Sequence, residues 1–347
     1  MTFGKGAISL GKHILRGGAA ALSLSLLLSG CASGIYANYR AVESLQTVRT
    51  LGIDRERTGS VTVSAAVDGS GEEDGSVLSC TAADIPEALA RLQELSPKGQ
   101  LFFAHIEYLL LGQSMAEGGV GGVLDYIERD VHTRMATSLF ILRESRADAL
   151  LTALKDGAAA AELLSSVQRE TELQGSSRVD SVRAAAVALG QRDACLVCAL
   201  EPSGKSAVPA GYAILKGDAL VGYFTGQEAE AATLLAGFPG TLSRSFPTES
   251  GSVSLELRGS ADYAEGTVRL ALNGAVAAID PPDALPEDLE ARVSAALAEE
   301  AEAVLEKARR LDADLFGPAG EAPIRVRAET VLRHGFDLLP PEKGDAP

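Results

Sequence analysis

Leu28-Ser29-Gly30-Cys31 closes an apolar run that begins near Ala19, and it sets a thiol directly after a small residue. That is the lipobox pattern, in which the cysteine thiol receives a diacylglycerol before the segment ahead of it is cleaved. Lys5, Lys12 and Arg16 form a basic leader, and the apolar run of about ten residues is too short to span a bilayer. The expected mature chain therefore starts at Cys31, lipidated (palmitate-bearing) and membrane-anchored. A secretory signal with an incidental cysteine and a short transmembrane helix are the competing readings. The other thiols are Cys80, Cys195 and Cys198, an odd remainder that does not describe a disulfide scaffold in an exported chain. Cys195-Leu-Val-Cys198 has redox spacing, but Ala194–Leu200 reads as a buried strand. A redox pair needs a helix N-terminus, whose dipole lowers the thiol pKa.

No catalytic constellation stands up. His13, His105, His132 and His334 are scattered, without an HExxH pair or a Cys/His cluster at metal spacing. Gly118-Gly119-Val120-Gly121-Gly122 lacks the Lys-Ser/Thr of a phosphate loop and reads as a helix-entry turn. Asp312 and Asp314 read as a solvated turn at a helix end, and the chain is poor in the aromatics that line a sugar cleft. The expectation is a non-enzyme with no catalytic, cofactor or metal residues.

The elements that position these residues follow from periodicity. Val48–Asp54 and Val61–Val67 alternate as a strand pair, with residues 68–76 as a solvated loop. Ile85–Leu95 reads as an amphipathic helix, with Ala88, Leu89, Leu92 and Leu95 on one side and Thr81 or Asp84 near its cap. A short helix is expected from Tyr39. Strand Ile106–Gly112, helix Val123–Arg129, strand Thr137–Leu142 and helix Ala147–Leu154 imply a mixed α/β layer. Residues 158–164 and 168–181 are helical or loop-like, with Ser176-Ser177 an interruption, and Arg183–Leu189 feeds the cysteine strand. Glu201–Pro209 has linker or hairpin-loop composition. Gly211–Leu215 and Ala219–Phe224 form a hairpin around Lys216-Gly217-Asp218. Thr225 and Glu228 suit a capping box for a helix over Gln227–Leu235. Strands at Val253–Arg258 and Thr267–Leu272 are followed by the breaker Asp280-Pro281-Pro282-Asp283. Glu287–Leu311 is the longest helix, with Leu289, Val293, Ala296, Leu297, Ala301, Val304, Leu305 and Ala308 as its stripe. Ile324–Arg333 is a last half-exposed strand before a proline-rich tail. The fold class is α+β (mixed α/β), as two to three consecutive sheet-plus-helix domains. The expected divisions are a signal peptide over 1–30, an N-terminal region over 31–200, a C-terminal region over 201–342 and a disordered tail over 343–347.

Charge narrows the partners. Losing residues 1–30, which hold three cations and no acid, takes the formal charge from −16 to about −19. So acidic a chain argues against nucleic acid, which needs a basic stripe, and against electrostatic docking on anionic lipid. Attachment then falls to the acyl chains.

Four stretches, in order, resemble one family. Cys31 with Tyr36–Glu43 and Thr50-Leu51-Gly52-Ile53-Asp54 is the first, and Leu101–Gly112 with Leu124–Asp130 is the second. Gly211–Gly222 is the third. Ala313-Asp314-Leu315-Phe316-Gly317, followed by the strand ending in Arg333-His334-Gly335, is the fourth. Together they resemble the Ger(x)C family, the C subunits of nutrient germinant receptors in spore-forming Firmicutes. Gln113 departs from the family's usual Glu, and the stretch after Gly317 is short. The resemblance implies a non-enzymatic lipoprotein on the outer face of the spore inner membrane, working with an A subunit and a polytopic B subunit. It carries over no site residue beyond lipidated Cys31, and it leaves open whether a small-molecule germinant touches this chain. A lipid-anchored extracytoplasmic solute-binding protein is the alternative. The turns at Lys216-Gly217-Asp218 and Asp314–Gly317 are exposed candidates for partner contact.

Overall fold

The structure is a computed structural model, which describes residues 45–69, 75–96, 99–130, 133–238, 240–249, 251–264, 266–280, 285–316 and 325–333. Among them are thirteen strands in two sheets and eight α-helices, the α+β class expected. Cys31, the helix expected from Tyr39, the Asp280–Asp283 break beyond its first residue and the tail lie outside the described residues.

The larger sheet is built from β1 (Leu45–Arg55), β2 (Val61–Val67) and β3 (Ser76–Ala82), then β4 (Gln100–Phe102) and β5 (Tyr108–Leu111). It continues with β6 (Ser138–Leu142), β7 (Ala194–Ser203), β8 (Ser206–Lys216) and β9 (Ala219–Phe224). Its order is β3-β2-β1-β5-β6-β7-β8-β9, with β4 also on β1. The β1-β5-β6-β7 centre is parallel and both flanks are antiparallel hairpins. Parallel strands need crossovers, which is why helices intervene between residues 113 and 192 and nowhere inside the flanking hairpins.

Side-chain alternation sorts the central strands onto two covered faces. Leu109, Leu111, Leu139, Ile141 and Val197 pack with helices α1 (Ile85–Leu95), α2 (Gln113–Glu117), α3 (Gly121–Arg129) and α6 (Val182–Arg192). Tyr108, Leu110, Phe140, Leu142 and Cys198 face α4 (Ala147–Leu154) and α5 (Gly157–Gln174). With both faces buried, the strands read as nearly continuous apolar runs. Asp84 caps α1, its Oδ1 accepting the Glu87 amide at 2.9 Å, but Leu95 is 54 % exposed rather than on the buried stripe.

The second sheet has the order β10-β11-β12-β13: β10 (Leu242–Pro247), β11 (Ser252–Ala264), β12 (Thr267–Asp280) and β13 (Arg325–Arg333). Helix α8 (Leu289–Arg310) is the crossover between parallel β12 and β13 and covers one face through Leu289, Val293 and Leu297. Helix α7 (Gln227–Leu235) and the second half of α8 pack against Tyr212, Ile214 and Phe224 of the larger sheet, and Val268 and Leu270 of the smaller.

Several local expectations change. Ser76 opens β3 instead of ending a loop, residues 157–174 form one helix that stops at Gly175, and β10 is an additional strand. Glu201–Pro209 is no linker, because β7 and β8 pair through Ser203 and Ser206. The larger sheet thus runs through residues 200 and 201, and the change of sheet comes between Phe224 and Leu242. Thr225 supplies only its backbone oxygen to the start of α7, and the Glu228 carboxylate turns away to Lys307 at 2.5 Å, so no capping box forms.

Candidate functional site

The first and second sequence stretches meet at the N-terminus of α4. Asp54 ends the Leu-Gly-Ile-Asp segment of β1 and is fully buried. Its two carboxylate oxygens accept the amides of Ala147 and Asp148, each at 2.9 Å. A helix leaves its first amides without intrahelical partners, and here a strand residue distant in sequence supplies the acceptors. Burial outweighs the two amide bonds and holds the Asp54 carboxyl above the ordinary range. Arg146 stands beside it, donating to Glu56 at 2.6 Å and Asp148 at 2.9 Å, with its Nη2 4.0 Å from Asp54. Arg146 in turn holds the Glu56 carboxyl below its usual range. The glycines are steric requirements. A Cβ on Gly52 would lie 2.9 Å from the Cβ of Ala147, and one on Gly112 would collide with the Asp54 carboxylate. With both oxygens occupied by amides, Asp54 is a cap and not a proton-transfer group.

The third stretch also meets the residue just ahead of the fourth. Lys216, at the end of β8, donates to the carboxylate of Asp312 at 2.7 Å and to its carbonyl oxygen. Asp312 follows α8 in the left-handed region, at φ 53°. The pair shifts as a pair should: Asp312 holds the Lys216 ammonium up, and Lys216 holds the Asp312 carboxyl down. The Asp312 side chain is 92 % exposed, so solvent screens the attraction. Arg192, at the end of α6, donates to the Leu315 carbonyl at 3.2 Å, and the Phe316 ring stands 6.4 Å from that of Phe224. Leu315 and Phe316 are therefore buried, leaving Asp314 as the exposed part of that turn. Asp218 faces elsewhere: its backbone oxygen accepts the Val120 amide at 2.7 Å, which joins the hairpin turn to the glycine-rich entry of α3.

Beside the Lys216–Asp312 pair lies a groove of about 870 Å³ between the C-terminal half of α8 and the start of β13. Leu305, Ala308 and Val326 form an apolar floor, and the rim carries both charge signs, among them Glu302, Glu306 and Arg309. Among the described residues its lining holds no thiol, hydroxyl or imidazole. Elsewhere, Cys195 and Cys198 are buried and unpaired, and burial pushes both thiols up to about 12. They point to opposite faces of β7, so the CxxC spacing does not make a redox pair. His105 is exposed on a single 3₁₀ turn, its ring 5.2 Å from that of Phe102. Among the described residues there is no cluster of metal-ligating side chains and no helix long and apolar enough to cross a membrane.

With that geometry in place, residues 38–184 match the family described as spore germination protein N-terminal domain. That stretch is 147 of the 347 residues, and the likeness it carries is to Ger(x)C spore germination proteins. A solved structure described as the crystal structure of the GerBC protein superposes with a TM-score of 0.51, at 13 % identity, over 85 % of this chain and 99 % of that one. At that identity the likeness is one of fold. No curated protein matches the sequence. The matched stretch holds β1 to the start of α6, and so includes the whole Asp54 cap.

The cap, which sequence reasoning passed over as part of a strand motif, had one visible signal. An aspartate that ends an apolar strand is costly to bury unless something demands it. Cys31, the lipidation candidate, lies outside the described residues.

Proposed function

We propose that this protein is a lipid-anchored subunit of a nutrient germinant receptor in the spore inner membrane, acting by protein–protein contact and without catalysis. The observation that carries the reading is the match of residues 38–184 to a spore germination domain. The geometry supports it: the residues that mark the family are spent on a helix cap, on close strand–helix packing and on an exposed ion pair. In this reading residues 1–30 are a signal peptide, and Cys31 carries the acyl chains at the outer face of that membrane. Its partners there are the A subunit and the polytopic B subunit. Tethering keeps the folded part at high local concentration beside them.

Deletion of the gene and any paralogues tests the proposal. Spores should lose nutrient-triggered germination and keep the response to dodecylamine, which bypasses the receptors. Normal nutrient germination in that strain contradicts the reading. The solute-binding alternative predicts a saturable calorimetric signal for one metabolite with the isolated chain, whereas the receptor-subunit reading requires none.

A further inference from the structure

The second sheet presents one bare face. Along β10 to β13 the residues alternate, with one bulge where β12 passes Ser254 and Leu255, and the set Ser243, Ser245, Glu256, Arg258, Ser260 and Asp262 on β10 and β11 points to solvent. Arg269, Ala271 and Asn273 of β12 continue that face, as do Arg325, Arg327, Glu329, Val331 and Arg333 of β13. No described element packs over it: α8, the helix against β13, lies on the Leu272 and Leu332 side.

Charge is distributed unevenly over this face. On β12 and β13 it carries Arg269, Arg325, Arg327 and Arg333 against Glu329 and Asp280, with Asp262 of β11 directly opposite Arg269, in a chain whose formal charge is −16. Arg269 and Arg327 are direct neighbours in the parallel register, an arrangement that repels. Among the described residues none of the four has an ion-pair partner. The face is also nearly devoid of anchors for a protein partner. Val331 is its one large apolar side chain on β12 and β13, with serine, alanine and asparagine around it, whereas protein interfaces concentrate energy in buried aromatic and apolar clusters.

The open edge of β13 is closed to strand addition. Its outward amides at Val326, Thr330 and Leu332 are taken by Glu302, Ser294 and Glu290 of α8, at 3.0, 3.0 and 2.7 Å. What remains available is the face itself, with its arginine excess on β12 and β13.

We propose that this face docks on an anionic phospholipid surface, orienting the acidic protein with β12 and β13 toward the headgroups. Flatness, short side chains and unpaired guanidiniums suit a diffuse layer of phosphates, which each arginine engages without a pocket. The proposal revises the expectation drawn from net charge. The chain as a whole repels anionic lipid, but at a Debye length of about 10 Å the membrane senses the near face and little of the remote acids.

The test uses the full chain carrying Cys31→Ser, so that no acyl chain forms, with vesicles of pure phosphatidylcholine or of phosphatidylcholine with phosphatidylglycerol. The expected result is binding that is tighter to the anionic vesicles and is lost at high salt. Arg269→Ser with Arg327→Ser should weaken it by on the order of tenfold. Both sites are exposed, so thermal unfolding should stay unchanged, and Arg57→Ser with Arg310→Ser, which also removes two exposed cations, controls for net charge. Equal binding to both vesicle types, or equal binding by the double variant and the control, overturns the proposal. Loss of nutrient germination in the double variant with unchanged vesicle binding also overturns it, and assigns the face to an acidic protein. The result is separable from the anchor reading, because Cys31 acylation predicts attachment to neutral vesicles as well.

Discussion

The two sheets bury their surfaces differently. The larger is sandwiched: helices α1, α2, α3 and α6 cover one face of its centre and α4 and α5 the other. Among the described residues the smaller is covered on one face, by α7 and α8, and the other faces solvent. The described residues of the stretch matched to a germination domain, from Leu45 onward, belong to the larger sheet and its helices. The difference teaches that the recognisable sequence marks a scaffold, while surface available for contact is concentrated on the half-covered sheet and beside its long helix. A side chain on the larger sheet's central strands should act through stability. One on the bare face should act through binding.

Substitutions can break or sharpen that contrast. The largest effect is expected at Phe140, fully buried between β5 and β7. Phe140→Ala should cost about 3–5 kcal/mol in urea unfolding. Arg269→Ser on the bare face should stay within about 0.5 kcal/mol of the parent. Equal costs at the two positions would erase the distinction.

Next comes Asp54. Asp54→Ala leaves the Ala147 and Asp148 amides without acceptors in a buried setting and should cost about 2–3 kcal/mol. Asp54→Asn, which keeps one acceptor oxygen, should cost less. The Asp54 carboxyl lies above its ordinary range, so the native state holds its proton at a pH where the unfolded chain has lost it. Stability from this group is therefore full below the ordinary carboxylate range and declines as pH rises through the raised value. Denaturation midpoints between pH 4 and 7 should show that decline in the parent relative to Asp54→Asn.

A smaller, kinetic effect separates the thiols. In a Cys31→Ser background, a thiol reagent at pH 8 should label half-exposed Cys80 at once. Cys195 and Cys198, both pushed up to about 12, should react only on unfolding. Fast native labelling of all three would reopen redox chemistry on β7. The smallest effect belongs to the Lys216–Asp312 pair: Lys216→Met should leave the unfolding midpoint unchanged, because the pair is screened by water.

How far these features were legible in the sequence depended on how local their causes are. Ile85–Leu95 and Ala147–Leu154 carry the 3.6-residue period, and their ends agree with the structure to the residue. The Lys216-Gly217-Asp218 hairpin carries its turn in three residues. Strand β10 was not legible, because Leu242–Pro247 has just two buried apolar residues and owes its conformation to pairing with β11. The Thr225–Glu228 capping box failed for a related reason, since Lys307 from α8 competes for the Glu228 carboxylate. The Asp54 cap joins residues 93 and 94 positions apart. No spacing rule could assemble it, although Gly52, Asp54 and Gly112 were each visible within family-like stretches. The arginines of the bare face were readable as an alternating strand. Their neighbourhood became apparent only when β13 was laid in parallel against β12.

Under the proposed function, the protein works from a lipid anchor at Cys31, with a folded part that contributes surfaces and no chemistry. Spores carrying Cys31→Ala test it most directly, with membrane fractionation and nutrient germination scored on the same preparation. A folded protein should leave the inner-membrane fraction, and the receptor should no longer answer nutrients. Full membrane retention together with a normal nutrient response would contradict it.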